Sequence, residues 1–305
     1  MQAIFVDSIT DLPLDCTGKV VMAASHGGLY SAHCGLAAAV TGAIFCDAGI
    51  GREQAGIAGL ALLDQHDVPA AAIHHSSARI GDGADCMSRG VLSVVNEAAR
   101  RLGVRAGMNA SGALEVMQAS VTGPGLVETA RYRELDGADH IERLCAGQEP
   151  EAKRVAVMRH PAAAQSRFDI MDFHEVPVVA IDSNSLVAAT DADAVVLTGS
   201  HGGLLGGRSE RAIKHRVFAV VYNDADVGAD GAGISRLGAL DRLNIPAATV
   251  SAWSARIGDG RSTYSDGFIT HVNCSAVALG GERGISCSSF VGRLAEAWIK
   301  RKRSA

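Results

Sequence analysis

The chain has 305 residues, 48% of them hydrophobic and 20% charged, a composition ordinary for a globular protein and long enough for two lobes, each with its own core. A formal net charge of -5 gives no basic footprint for nucleic acid, and no run approaches the ~20 apolar residues that a membrane-spanning helix needs. Aromatic residues make up only 4%, so the core has to be built from Ala, Val, Ile and Leu, which favours close packing of helices on sheets.

Residues 3–7 (AIFVD) read as a strand, and they begin without the charge pattern of a signal peptide. Residues 19–25 (KVVMAAS) form a short apolar run, as expected of a strand buried on both faces. After Gly27-Gly28 comes a helix near 31–41, then a strand over 42–47, an amphipathic helix over 52–67 that Pro69 stops, a third strand over 70–75 and a long helix over 84–100. This alternation implies a right-handed, mostly parallel, three-layer α/β unit. Residues 105–176 carry Gly-Pro-Gly at 123–125, a charged stretch from Glu128 to Arg143 and short strands near 154–158 and 168–173, and read as a connector or cap. Residues 177–182 (PVVAID) and the run from 194 onward then begin the same series again. The basic cluster from Lys300 to Arg303 is expected to be a solvated helix end.

Residues 44–96 match 221–273 at an offset of 177 without a gap, and 23 of the 53 pairs are identical. Upstream the offset becomes 175, with Ser-His-Gly-Gly-Leu at both 25–29 and 200–204. So many ordered coincidences point to an internal duplication. The expected architecture is α/β, with two homologous lobes related by a pseudo-two-fold axis, each with a mostly parallel three-layer sheet. Residues 1–104 make the first lobe, 105–176 the connector and 177–305 the second.

Every shared motif falls at the C-terminal end of a predicted strand, where parallel sheets open their ligand crevice. In Ser-His-Gly-Gly, the amides of Gly27, Gly28, Gly202 and Gly203 are candidates to hold an oxyanion, and His26 and His201 to transfer protons. Ser25 and Ser200 are candidate nucleophiles, although each needs an activating partner. The loops Ser-Ala-Arg-Ile-Gly-Asp-Gly at 77–83 and 254–260 place Ser77, Arg79 and Asp82, and Ser254, Arg256 and Asp259, as anion ligands. A guanidinium fork suits a carboxylate or phosphate; the bland reading is an Arg–Asp pair that shapes each loop. Asp47 and Asp224 end buried strands, and are read either as caps of the following helices or as ligands for substrate or metal.

The lobes differ where His74 and His75 face Ser251 and Ala252, where Cys46 faces Asn223, and where Ser76 and Gly49 face Trp253 and Asp226. Cys46 against Asn223 excludes a racemase with facing thiols. Adjacent histidines on a strand point to opposite faces, which sets them against sharing one metal. The glycine-rich run 226–233 lacks the P-loop lysine, and the chain's five lysines all lie outside the shared motifs, against Ser–Lys chemistry. No cofactor is expected, and a divalent metal is a minor option. Seven cysteines, odd in number and with no CxxC pair, signal neither a disulfide framework nor a zinc site, so a reducing cytoplasm is expected. The leading expectation is an enzyme acting on a small anionic or carbonyl-containing metabolite, with hydrolysis of an amide- or ester-like bond ahead of lyase or isomerase chemistry. The rival is a non-catalytic binder of small anions. The expected partner is a small molecule, with neither nucleic acid nor membrane, and a homo-oligomer is a further option.

Overall fold

In a computed structural model that describes residues 4–121, 167–170, 173 and 175–303, the apolar runs form two mostly parallel sheets flanked by helices. The described residues divide into two compact units: 4–47 with 56–121, and Ala48–Ala55 with those from Arg167 onward.

The first unit has strands β1 (Ile4–Val6), β2 (Val20–His26), β3 (Gly42–Cys46), β4 (Ala70–Ile73) and β5 (Leu92–Val95), in that spatial order. All neighbours are parallel except β4 and β5. Every residue of β2 is buried, and its side chains alternate between two cores. Val20, Met22 and Ala24 join one apolar cluster. Val21 and Ala23 join another, with Leu60 and Leu63 of helix α2 (Ala58–Gln65) and Ala32 of helix α1 (Leu29–Ala37). That alternation makes the three layers.

The predicted helix over 84–100 is three elements instead: α3 (Gly83–Arg89), β5 and α4 (Glu97–Arg101). Gly90 ends α3, where a Cβ would run into the carbonyl of Cys86, and the β-branched residues that follow pair against β4. Asn96 then clamps the unit. Its Oδ1 accepts from the amides of Ala70 and Ala99 at 2.8 and 2.9 Å, and its Nδ2 donates to the Val68 carbonyl at 2.8 Å. Residues 105–121, read from the sequence as the start of a connector, carry helix α5 (Ala110–Val121), whose Ala113, Leu114 and Met117 enter the same cluster as Met22. The Gly-Pro-Gly turn, the charged stretch from Glu128 to Arg143 and the strand near 154–158 lie outside the described residues.

The second unit has an antiparallel edge strand β6 (Arg167–Asp169), then β7 (Val178–Ile181), β8 (Val195–His201), β9 (Ala219–Asn223), β10 (Ala247–Val250) and β11 (Ile269–Val272). The strands from β7 to β10 are parallel and β11 is antiparallel, and the helices are α6 (Arg236–Arg242), α7 (Gly260–Ser265), α8 (Cys274–Val277) and α9 (Cys287–Arg303). Asn273 makes the clamp of Asn96 again, on Ala247, Ala276 and Ile245.

A helix matching α1 is expected after β8, but short 3-10 turns at Leu205–Gly207 and Ser209–Arg211 stand there. The position 177 residues on from Gly59 explains the difference. At Gly59 a Cβ would meet the Gly28 carbonyl and, at 2.8 Å, the Cβ of Ala32, so glycine lets α1 and α2 touch. In the second unit that position is Arg236, only 2% exposed. Its guanidinium donates to the carbonyls of Gly203 (2.8 Å), Arg211 (2.9 Å) and Ala212, and lies over the Tyr222 ring at 5.3 Å. The buried cation fills the space of a helix and satisfies carbonyls that a helix would otherwise pair.

Among the described residues, no helix is long and apolar enough to cross a membrane. Arg236→Met is expected to leave those carbonyls without their donor and to lower stability by about 1–3 kcal/mol in urea denaturation, with amide exchange accelerating first over 203–217. Gly59→Ala is expected to cost a similar ~1–3 kcal/mol by overpacking.

Candidate functional site

The sequence candidates do gather at the C-terminal strand ends within each unit, but most of their polar groups are engaged in holding loops. Ser25 Oγ accepts the amide of Ile9 at 2.9 Å and Ser200 Oγ that of Asn184 at 2.8 Å, so each serine fastens the turn after β1 or β7. Neither contact activates a nucleophile. The expected oxyanion hole is also corrected. Gly27 N donates to Cys46 O at 3.0 Å and Gly202 N to Asn223 O at 2.8 Å. Gly28 N donates to His26 Nδ1 at 3.2 Å and Gly203 N to His201 Nδ1 at 3.1 Å. The first glycine of each pair is there for packing: a Cβ on Gly27 would touch Leu60 at 3.0 Å, and one on Gly202 would press on the Gly233 carbonyl at 2.6 Å.

His26 and His201 are 8% and 5% exposed. Burial alone pushes His26 down to about 4, so at neutral pH it is uncharged and keeps its backbone contact rather than taking up a proton.

The Arg–Asp loops take the bland reading. Arg79 donates to Asp82 Oδ2 through Nε at 3.2 Å and Nη2 at 3.0 Å, and reaches Asp85 at 2.9 Å. Asp82 also caps α3 through the Asp85 amide at 3.0 Å. Arg256 meets Asp259 at 3.3 and 3.0 Å, and Asp259 caps α7 through the amides of Arg261 and Ser262. Ser77 and Ser254 tie each loop to the strand beside it, accepting the amides of Val91 and Phe268 at 3.0 Å. The closing glycines lie at the ends of β1 and β7: Gly83 N donates to Asp7 at 3.1 Å and Gly260 N to Asp182 at 3.0 Å. Burial, and then the nearby charge of Asp259, push Asp182 up to about 6 despite that bond.

In the second unit the segment Ala48–Ala55 extends the Arg256 network, which the repeat could not reveal because Arg52 and Asp266 are not retained at their equivalent positions. Arg256 Nη1 donates to Glu53 at 3.2 Å, and Arg52 donates to the Ser254 carbonyl at 2.7 Å and lies 3.7 Å from Asp266. The equivalents of Arg52 and Asp266 are Ala229 and Arg89.

Asp47 and Asp224 do not cap helices. Asp47, 1% exposed, accepts the His75 amide at 2.9 Å and His75 Nδ1 at 3.0 Å on Oδ1, and the Ser93 hydroxyl at 2.7 Å on Oδ2. Asp224 accepts the amides of Ala252 and Asp226 at 2.8 and 3.0 Å; burial raises its pKa, while these bonds and one from Thr270 oppose the rise. After each aspartate the chain makes a strained γ-turn, with Gly51 N on Gly49 O and Gly228 N on Asp226 O, both at 2.6 Å, centred on Ile50 and Val227 at φ 62°.

His74 and His75 overturn the expectation that they diverge. β4 ends at Ile73, so neither obeys strand alternation, and their rings stack with centroids 4.5 Å apart. One donor atom from each of Asp47, His74 and His75 lies within 4.8 Å of the others. Ser93, which the sequence reading missed, was signalled only by a hydroxyl at both 93 and 270. A separate cleft lined by Asp193, Arg216, Phe218, Pro246 and Arg301 lies at the N-terminal edge of the second sheet, away from every shared motif.

Comparison of the chain with protein-family models, with curated proteins and with solved structures gave no match.

His26 and Asp182 give stability opposite pH dependences. An unfolded His26 protonates near 6.5 but the folded one only near 4, so its contribution is complete above pH 6.5 and is lost as pH falls toward 4. His26→Asn is expected to flatten that fall, read from urea midpoints across the range. Asp182 holds its proton up to about 6 when folded against 3.8 ordinarily, so its contribution is lost as pH rises through that window, and Asp182→Asn should remove the loss.

Proposed function

We propose that the protein is an enzyme that hydrolyses an amide- or ester-like bond in a small carbonyl-containing metabolite, with its working site at the strand ends of the first unit. The observation that carries this reading is the Asp47–His75 pair: a carboxylate 1% exposed, 3.0 Å from the Nδ1 of an imidazole that lies nearer the surface. Donation from Nδ1 to the carboxylate fixes the tautomer that keeps a lone pair on Nε2, and the carboxylate stabilises the imidazolium when it forms. His75 Nε2 takes a proton from water as the water oxygen bonds to the carbonyl carbon. The same proton passes to the leaving nitrogen or oxygen as its bond to that carbon breaks, so water is the only co-reactant.

A lyase or isomerase would draw on the same base, and product analysis separates the two. The anion-binding reading loses support because the glycine amides are engaged and Arg79 is paired with Asp82 and Asp85. We propose further that the two units descend from one duplicated ancestor and that only the first kept chemistry. The gapless repeat and the matching order of parallel and antiparallel strands support this, as do Ser251 and Ala252 standing where the histidines would be. A cytoplasmic location is proposed on the cysteine spacing.

The test screens small amides and esters for proton release with a pH indicator, then compares variants. His75→Asn and Asp47→Asn are each expected to lower kcat by about 10²–10⁴-fold with circular dichroism unchanged. Turnover unaffected by both would remove this pair from the mechanism.

A further inference from the structure

We propose that Asp47, His74 and His75 bind a divalent first-row transition-metal ion in the first unit. This rests on placing the working site at Asp47–His75, and it turns His75 from a base into a ligand.

Three observations carry it. The donor atoms come from the ends of two adjacent strands and already lie within 4.8 Å of one another. A tetrahedral ion with bonds of ~2.0–2.2 Å needs donors about 3.4 Å apart, so the farthest pair has to close by up to about 1.4 Å. Rotation of two partly exposed rings can supply that movement.

At His75 the Nδ1 faces the ligand carboxylate itself, 3.0 Å from Asp47 Oδ1, so an ion shared by the two would stand in place of that hydrogen bond. His74 has a separate oxygen behind its Nδ1, Ser76 Oγ at 2.8 Å. Metal-binding histidines are held in this way, with the outer nitrogen donating to oxygen so that the inner one keeps its lone pair. In the structure the Ser76 amide donates to the same His74 nitrogen at 3.2 Å, a bond that an ion on Nε2 would exchange for donation from Nδ1 to the hydroxyl.

The second unit provides the internal control. Asp224 fastens the loop after β10 as Asp47 fastens the loop after β4, so the carboxylate has a task without any ion. The two histidines are what the first unit adds: His74 Nδ1 accepts the Ser76 amide as Ser251 Oγ accepts that of Trp253, and loop closure calls for no second ring stacked on it. Two neutral imidazoles and one carboxylate suit a borderline 2+ ion and leave positions for water or substrate. Such an ion would polarise a carbonyl and acidify a bound water, a role for which the engaged glycine amides offer no substitute.

Protein stripped with a chelator and dialysed is titrated with Co²⁺ alone, and then with Zn²⁺. One tight equivalent of Co²⁺ per chain is expected, with visible d–d absorption that Zn²⁺ abolishes. His74→Ala, at a ring outside the core, should weaken binding by 100-fold or more and erase the bands at an unchanged melting temperature. Ser76→Ala, which removes only the outer hydroxyl, should weaken it by about 10–100-fold. Absence of a tight equivalent, or bands that survive in both His74→Ala and His75→Ala, overturns the proposal. If the stripped protein turns over substrate at full rate and His75→Asn still abolishes it, the metal inference fails alone and the acid–base reading stands. If His75→Asn and Asp47→Asn change neither binding nor turnover, both fail.

Discussion

A carboxylate taken out of water must have donors on its oxygens or give up its charge, and that requirement organises the C-terminal edge of both sheets. Asp47 meets it by drawing in the chain leaving β4, through the His75 amide, and the strand returning beside it, through the Ser93 hydroxyl. Asp224 draws in Ala252 and Thr270 in the same way. One buried acid thereby fixes three strand ends. In the first unit it also fixes an imidazole, because the residue whose amide it accepts is a histidine.

The other repeated residues are fasteners of the same edge. Ser25 and Ser200 hold the turns after β1 and β7, and Asp7 and Asp182 hold the start of the helix that follows the Arg–Asp loop. Asp82 and Asp259 cap that helix while pairing with their own arginines. Parallel sheets close their loops at the edge where they also open their crevices, so clustering of shared motifs there is compatible with either role. The hydrogen bonds assign these residues to closure. In the proposed function, chemistry falls to what is not repeated, above all His74 and His75.

The layered α/β character was legible because buried parallel strands read as continuous apolar runs: β2, β3, β4 and β8 lie where the runs of Val, Ile and Ala put them. The strand β5 was not, since Leu-Ser-Val-Val follows a helix-forming stretch and only pairing with β4 decides its state. Nor was the loss of α1 in the second unit, although Gly59 against Arg236 was visible as a mismatch. A single letter does not say that a guanidinium replaces a helix, because the replacement depends on three carbonyls 24 to 33 residues away.

The sequence by itself determined the alternation of strands and helices, the repeat, and the edge at which polar residues collect, since all three follow from local periodicity and from identity at fixed spacing. Tertiary structure alone decided what those residues do there. The glycine amides proved engaged, the serines tied, and His74 and His75 stacked rather than divergent, because each outcome depends on where a strand stops and which distant donor meets which acceptor. Arg52 and Glu53 show the same limit: their partners, Ser254 and Arg256, lie some two hundred residues along the chain, and only folding brings them together.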